Sequence, residues 1–578
     1  MRVWLEEEKK TTTASEDFKR NLEDGMRYVD KTKLLIPLLN REHETTFLLR
    51  PRRFGKTLTL SMIRYFVEDT RNEALNEENR ELFRGLKIME AGEMYKSQMT
   101  SFPVINLTLQ TVKGENFEIA YQQLTELLYK CFQEKKYLLD SQALDQTDRL
   151  FFERIYLGKD KNGQKRSVVD ITNSLKRLTE FLRKDSGKRT VVLLDEYDVP
   201  LENAYTNGYY RKMVNVIGPL MQNVLKTNSE NLQFAVVTGC LRIAKEGIYT
   251  GLNNPEVNTV LSIREGDAVG FTEKETRKLL QDSGVGEHYQ QAREWYDGYR
   301  FGNTVIYNPW SVIKFIEDKK VNPDAPPLTY WANTSSNFII QELAEKAERD
   351  TKELIERAMQ GEEISFPVQD NIVYDKLYQK PENVLNVMLS AGYLTAVHFD
   401  GKTVRARIPN KEVHAIFQNQ IRDWFAQAVK TFDVHSLYAA MEQGNTDKIE
   451  VILTEEFLSA MSYYDSVEAF YHGVLLTLMQ LNQEYLCVSN RESGTGRFDI
   501  MAKQRSRWNL GFILEVKISG KPGELLSDAR EGAKQITKKE YVKELLREGY
   551  RTVKTYSLAF CEKRCRVIQG ETIQESVR

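Results

Sequence analysis

The chain has 578 residues, with 81 basic and 83 acidic side chains, 41% hydrophobic residues and 28% charged ones. At about 150 residues per domain this leaves room for roughly four compact units, and the composition excludes wholesale disorder, a fibre and a membrane bundle. A net charge of −2 identifies no partner, because a nucleic-acid binder of this size can gather its basic residues in one cleft. No apolar run approaches the roughly 20 residues that span a bilayer. The opening Met1-Arg2-Val3-Trp4-Leu5 runs straight into charged residues and lacks the apolar stretch of a signal peptide. The five cysteines are scattered, which predicts free thiols and a reducing, cytoplasmic setting. Cys561 and Cys565 lie four apart with no second pair to complete a zinc site.

Along the chain, Thr45–Leu49 reads as a short strand, followed by a loop through Gly55 and a helix over Lys56–Glu68. Phe102–Leu109, Thr190–Leu194 and Leu232–Thr238 read as further strands, with helices over Phe117–Lys135 and Val169–Arg183 between them. Strands alternating with long helices predict an α/β parallel sheet, assigned to residues 1–268. Residues 269–454 are expected to be mostly helical and to serve as a lid, with a winged-helix-like unit one arrangement open to Val384–Val413. Residues 455–578 form a second α/β block. It has a helix over Ser466–Asn482, strands at Tyr485–Ser489, Arg497–Ala502 and Leu510–Ile518, a helix over Leu525–Glu548, and a strand at Val553–Cys561. That length suits one domain.

Two stretches of the first block carry chemistry. Arg50-Pro51-Arg52-Arg53-Phe54-Gly55-Lys56-Thr57 lies between a strand and a helix, where backbone N–H groups and a helix N-terminus surround phosphates. Arg52, Arg53, Phe54 and Gly55 would line the loop, Lys56 would reach the β- and γ-phosphates, and Thr57 would offer its hydroxyl to Mg²⁺. The first glycine of the generic pattern is replaced by Arg50, and Pro51 lacks an N–H. A basic loop capping a helix fits the same residues. Lys56, in a helix-opening loop, is expected to carry little packing.

Val191-Val192-Leu193-Leu194-Asp195-Glu196 is four apolar residues ending in two acids, the pattern of a buried parallel strand whose C-terminal edge binds ligand. Asp195 would hold the Mg²⁺ shell and Glu196 would orient the attacking water. A cap on the following helix explains either acid alone but not both motifs in this order. At the end of a third strand Thr238 could sense the γ-phosphate, with Arg242 assisting. An ordinary strand end and turn fits these two residues equally well.

These motifs, with Asp195-Glu196-Tyr197-Asp198-Val199-Pro200 and Thr238-Gly239-Cys240-Leu241-Arg242, resemble the bacterial AAA-ATPase-like proteins that carry a C-terminal PD-(D/E)XK nuclease domain. Further agreement comes from Tyr28-Val29-Asp30-Lys31-Thr32, Trp295-Tyr296-Asp297-Gly298-Tyr299, Tyr307-Asn308-Pro309-Trp310 and Ile408-Pro409-Asn410-Lys411-Glu412-Val413. The missing first glycine is usual in that family. The resemblance implies ATP and Mg²⁺ as cofactors and DNA, less readily RNA, as partner.

The last block supports the same reading from its own residues. Asp499 sits on one strand, and Glu515 and Lys517 sit on the next, sharing one face because side chains alternate along a strand. Pairing of the two strands would bring Asp499 beside Glu515, and the two carboxylates, with the Val516 carbonyl and waters, suit Mg²⁺ or Mn²⁺. Lys517 is placed to orient or deprotonate the attacking water and offset charge on phosphorus. An edge hairpin with a cross-strand ion pair is the plainer alternative. Gln535 lies on the following helix, where the nuclease superfamily often places a glutamine near its lysine. Glu468 and Glu492 compete for an auxiliary acid, though a solvated surface position suits either.

Two functions follow. One is an ATP-controlled, divalent-metal-dependent nuclease. The other is a nucleotide-dependent switch that binds nucleic acid or protein and uses the nuclease-like block only for recognition. A homo-oligomer is compatible with either, and a membrane partner is not expected.

Overall fold

A computed structural model describes residues 15–242, 255–331, 349–359, 361–369, 377, 380–417, 433–454, 471, 475–476, 478–489, 492–493, 496–497, 499–505, 510–538, 542–561 and 564–574. The chain divides into two compact units, Met1–Ile416 and Phe417–Arg578.

In the first unit, β1 (Thr45–Leu49), β2 (Val104–Thr108), β3 (Thr190–Asp195), β4 (Leu232–Gly239) and β5 (Glu256–Asn258) form one sheet in the order β2-β3-β4-β1-β5. Every pairing is parallel. All residues of β1 and β3 are buried, which is why their sequences are unbroken apolar runs rather than alternating ones. The helices Phe117–Glu134, Val168–Ser186 and Tyr210–Leu225 share a core with these strands through Leu124, Leu128, Leu178, Leu182, Ile217 and Met221. Because β4 lies between β1 and β3, the carboxyl ends of all three strands open on one edge. That edge is where an open α/β sheet binds ligands.

The segment after β5 is helical with two small antiparallel sheets. β6 (Phe271–Thr272), β7 (Tyr299–Phe301) and β8 (Thr304–Tyr307) pair in the order β6-β8-β7, and β9 (Ile364–Pro367), β10 (Thr395–Phe399) and β11 (Thr403–Arg407) in the order β10-β11-β9. The Val384–Val413 region holds the end of the helix Pro381–Ala391 and the hairpin β10–β11, so a helix followed by a wing-like hairpin is present. The helix buries Val384 through Leu389, and this leaves little of it free to enter a nucleic-acid groove.

The second unit begins earlier than the 454/455 division expected. The helix Val434–Gln443 packs Leu437, Tyr438 and Met441 into the same core as Phe512, Leu514 and Tyr556. Strands β12 (Tyr485–Ser489), β15 (Ile500–Gln504), β16 (Leu510–Ile518), β17 (Thr552–Cys561) and β18 (Arg564–Gln574) form one mixed sheet in that order, while the two-residue strands β13 (Glu492–Ser493) and β14 (Gly496–Arg497) pair separately. The expected strand Arg497–Ala502 is therefore split, and β18 adds an edge strand beyond the last one expected. Only β16 and β17 pair in parallel, and the helix Leu525–Lys538 is part of the crossover between them. Helices cover both faces: Leu437 and Leu475 share a core with Leu514, while Ile536 and Leu545 share another with Ile513. Glu468 and residues 539–541 of the expected long helix lie outside the described residues, as does the start of the Ser466–Asn482 helix. All five cysteines are free and buried.

Candidate functional site

The phosphate-type loop joins β1 to the helix Lys56–Val67, whose preceding residue Gly55 takes φ = 90°, a conformation other residues rarely adopt. The loop does not use Arg50 as the missing glycine would be used. Arg50 is fully buried, and its guanidinium donates to the carbonyls of Leu49 (3.0 Å), Asn258 (2.6 Å) and Glu265 (3.2 Å), with the Phe301 ring 5.0 Å away. It ties β1 to β5 and to the loop beyond. Burial pulls the Arg50 guanidinium down to about 10, partly opposed by Glu265, so it remains a cation at neutral pH.

Lys56 is 3% exposed, contrary to the expectation that it carries little packing. Its ammonium donates to the Pro51 carbonyl (3.1 Å), and lies 3.8 Å from Glu196 Oε1 and 3.7 Å from Cys240 Sγ. Burial works against its charge, and Cys240, Glu196, Asp195 and Asp198 together more than offset that penalty, so Lys56 is held above its ordinary value. Burial also pushes the Cys240 thiol up to about 12.

Asp195 joins three elements. Thr57 Oγ1 donates to its Oδ2 (2.6 Å), the Thr238 hydroxyl donates to its Oδ1, and the Glu196 N–H closes on the same oxygen at 3.0 Å. Burial and neighbouring Glu196 raise Asp195, while the two threonine hydroxyls oppose the shift. Glu196 takes φ = 51°, a left-handed conformation that costs a non-glycine residue energy and often marks a functional position. Its Oε2 is buried with no hydrogen-bond partner. Asp198 accepts from the N–H groups of Cys240 (2.8 Å) and Leu241 (2.9 Å), which holds the turn after β4 in place. Arg242 follows that turn, half-buried.

The remaining loop residues are held by the helix after β3 and by the segment after β5. Arg52 pairs with Glu202 (2.8 Å), and its carbonyl accepts from Trp331 Nε1 (3.3 Å). The Arg53 guanidinium stacks 4.3 Å over the Trp310 ring. Phe54 is buried edge-on against Tyr299, and its carbonyl accepts from the Gly270 N–H at 3.0 Å. A cavity of about 250 Å³ opens beside the loop, lined by Arg52 through Thr59 and Glu196. The rest of its lining includes Ser15, Asn21, Tyr28 and Lys31, with Phe271, Leu279, Trp310 and Ile313.

In the second unit, β15 and β16 run antiparallel with Ile500 opposite Leu514, so the next step puts Asp499 across from Glu515. Asp499 Oδ2 accepts the Val516 N–H at 2.8 Å, and Lys517 Nζ lies 3.3 Å from Glu515 Oε1. The Glu515 side chain is 3% exposed and that of Lys517 22%. The helix Leu525–Lys538 crosses this face at Gly532, where an added Cβ would sit 2.2 Å from Ser557 Oγ and 3.2 Å from Lys517 Cγ. Only glycine lets the helix lie so close. Gln535, half-buried, follows one turn later. The Glu492 backbone is in β13, and its side chain lies outside what the structure describes.

Residues 13–249 match the family model described as a predicted AAA-ATPase, and residues 466–570 match the PD-(D/E)XK nuclease superfamily. The chain joins an AAA-ATPase-like domain to a PD-(D/E)XK domain. It is 26% identical over 399 residues to a protein named "Uncharacterized protein in vnfD 5'region" from Azotobacter chroococcum mcd 1. That stretch is 68% of this chain and 66% of the relative, just under two thirds of its length.

The donor sets fit divalent ions only in part. Among the described residues no group of three or more His, Cys, Asp or Glu side chains is placed to hold a metal. In the AAA-ATPase-like domain Thr57 and Asp195 offer one hydroxyl and one carboxylate, and in the PD-(D/E)XK domain Asp499 and Glu515 offer two carboxylates. Hard cations complete such sets with phosphate oxygens, backbone carbonyls and water. Sequence reasoning named the loop residues that line the cavity but missed its other walls. Trp310 and Tyr28 were visible only as parts of short motifs with no assigned role, and nothing in the local pattern marks Ser15 or Asn21.

Proposed function

We propose that the chain is a nucleotide-controlled, metal-dependent nuclease acting on DNA. The observation that carries this reading is Glu515, a nearly buried carboxylate facing Asp499 across a strand pair, with Lys517 beside it at a partly open surface. Burying a carboxylate is costly unless it is paired or binds a cation, and a merely structural ion pair is as easily made at the surface. A Mg²⁺ or Mn²⁺ ion bound there would polarise the scissile phosphate. Asp499 and Glu515 hold that ion, Lys517 orients the attacking water and balances charge developing on phosphorus, and Gln535 steadies the lysine from the neighbouring helix. In the AAA-ATPase-like domain Lys56 and the loop residues Arg52, Arg53, Phe54 and Gly55 take the ATP phosphates. Thr57 and Asp195 hold Mg²⁺, and Glu196 orients water with its buried, unpartnered oxygen. Thr238 positions Asp195 through its hydroxyl, and Arg242 completes the phosphate surroundings. The buried free thiols support a reducing, cytoplasmic setting. Among the described residues no helix is long and apolar enough to cross a membrane.

The test incubates purified protein with linear, circular and single-stranded DNA and with RNA, with Mn²⁺ or Mg²⁺, with and without ATP. Cleavage of DNA whose rate changes with ATP is the expected result. Nucleotide binding without cleavage of any substrate would instead leave a nucleotide-dependent switch whose PD-(D/E)XK domain only recognises its partner. Calorimetry on Lys56→Ala, checked for fold by circular dichroism, separates the nucleotide role from the nuclease one.

A further inference from the structure

Among the described residues, six cationic side chains line the cavity beside the phosphate loop. Four of them have a carboxylate within reach: Lys31 with Glu275 (2.6 Å), Arg52 with Glu202 (2.8 Å), Arg27 with Asp282 (3.5 Å) and Lys56 with Glu196 (3.8 Å). Arg53 lies over the Trp310 ring instead. The sixth is Lys113, which is exposed and whose side chain has no hydrogen bond or ion pair among the described residues. An exposed lysine is ordinary on a protein surface, so its place in the fold is what sets this one apart.

The register of the parallel sheet fixes where Lys113 emerges. β2 pairs with β3 so that Thr108 lies opposite Asp195, and the two strands end level with each other. The chain leaves β2 through the turn Leu109–Thr111, which puts Lys113 five residues on from the partner of Asp195. The backbone there is anchored on both sides of the lysine. Val112 is fully buried, the Gly114 N–H donates to Asn203 Oδ1 at 2.9 Å, and the Gly114 carbonyl accepts from the Tyr209 hydroxyl at 2.9 Å. Asn203 belongs to the helix Val199–Thr206, which also carries Glu202, the partner of Arg52. A fixed backbone thus presents an unattached lysine at the carboxyl edge of the sheet, the edge on which such sheets bind ligands.

The charge at that edge gives the lysine work. Asp195 and Glu196 stand at the end of β3 with Asp198 just beyond, and Lys56 is already set against them. A phosphate arriving beside these acids meets like charge, and one lysine shared among three carboxylates leaves much of that repulsion in place. A second ammonium on a flexible stem, entering from the neighbouring strand, offsets it.

We propose that Lys113 binds the terminal phosphate of the nucleotide, reaching across the end of β3 from the loop after β2. This rests on the reading of the cavity as a nucleotide site with its terminal phosphate beside Glu196.

The experiment is calorimetric titration of the full chain with ATP and with ADP, each with Mg²⁺, in the unaltered protein, Lys113→Ala and Lys113→Arg, with thermal melting of all three. ATP affinity should fall about tenfold in Lys113→Ala and ADP affinity by less than about twofold, since only ATP carries the phosphate in question. Lys113→Arg keeps the cation and should stay close to the unaltered protein. Melting temperatures should agree, because the side chain holds nothing in the fold. Equal ATP affinity in Lys113→Ala and the unaltered protein would overturn the proposal while leaving the nucleotide site standing. Equal losses for ATP and ADP would overturn it too, by moving the lysine to an inner phosphate, and so would a lowered melting temperature in Lys113→Ala, by giving the side chain to the fold. If the unaltered protein binds neither nucleotide, the nucleotide site itself falls, and this contact with it.

Discussion

Each domain sets a lysine beside carboxylates, but the two lysines are held very differently. Lys56 is buried to 3% exposure against a backbone carbonyl and within a group of three acids at and just after the end of β3, Asp195, Glu196 and Asp198. The loop around it is gripped from residues as distant as Trp310 and Trp331. Lys517 stands two residues from its partner Glu515 on one strand, and the second carboxylate comes from the adjacent strand. The first site depends on contacts distant in sequence, the second on the alternation and register of two neighbouring strands. Substitutions near Lys56 should therefore disturb stability along with binding, whereas those at Asp499 and Lys517 should change chemistry with little effect on folding.

The largest expected effect tests the second half of that contrast. Lys517→Ala should lower single-turnover DNA cleavage by about a hundredfold or more, because stabilising charge in a phosphoryl transition state is commonly worth about 3 kcal/mol. Its Mn²⁺ affinity and melting temperature should hold. Asp499→Ala should lose cleavage and weaken Mn²⁺ binding as well. Cleavage at the unaltered rate by Lys517→Ala would remove the catalytic role given to this face, and a large drop in melting temperature would make the face structural instead.

The next effect tests the first half. Arg50→Gly restores the glycine that a generic phosphate loop has at this position, yet it should destabilise the protein. Three backbone carbonyls lose a charged donor and a cavity replaces a fully buried side chain. Breaking a buried arrangement of this kind costs about 4 kcal/mol. Urea unfolding of the AAA-ATPase-like domain's transition is the measurement. Unchanged stability with improved nucleotide affinity would mean that Arg50 obstructs the phosphates rather than bracing the loop.

The same contrast explains what could be read from sequence. The strands β1, β3 and β4 were legible because a buried parallel strand is an unbroken apolar run, and Asp499, Glu515 and Lys517 were legible because strand alternation fixes their shared face. The role of Arg50 was not, since its partners Asn258 and Glu265 lie more than 200 residues away. The burial of Lys56 was hidden for the same reason: its neighbours Glu196 and Cys240 become neighbours only when β3 and β4 close beside β1. The early start of the second unit was missed because no proline or glycine marks a linker there. Only the packing of Leu437 and Tyr438 onto the sheet assigns that helix.

The smallest expected effect concerns another carboxylate tied to residues distant in sequence. Glu412 is fully buried and accepts from Ser311 Oγ at 2.8 Å and from the Trp331 N–H at 2.9 Å, the same Trp331 whose indole holds the Arg52 carbonyl. Burial pushes its carboxyl from the usual 4.5 up to about 7, with the bonds from Trp331 and Ser311 opposing the shift. Its other near neighbours, Tyr296, Tyr299 and Tyr330, have hydroxyls pushed far up and stay neutral in this range. The folded state thus holds a proton that the unfolded chain releases between pH 4.5 and 7, so this group's stabilisation is fully present below about 4.5 and is lost as pH rises through about 7. The full swing is on the order of 3 kcal/mol. Glu412→Gln, a neutral side chain of the same shape, should flatten that part of the stability profile when urea midpoints are compared between pH 5 and 8. It should also make nucleotide affinity less pH-dependent, because Trp331 would hold the loop equally at both ends. A profile as steep in the variant as in the unaltered protein would assign the slope to another buried acid, with Asp198, raised by burial and by Glu196, the next to substitute.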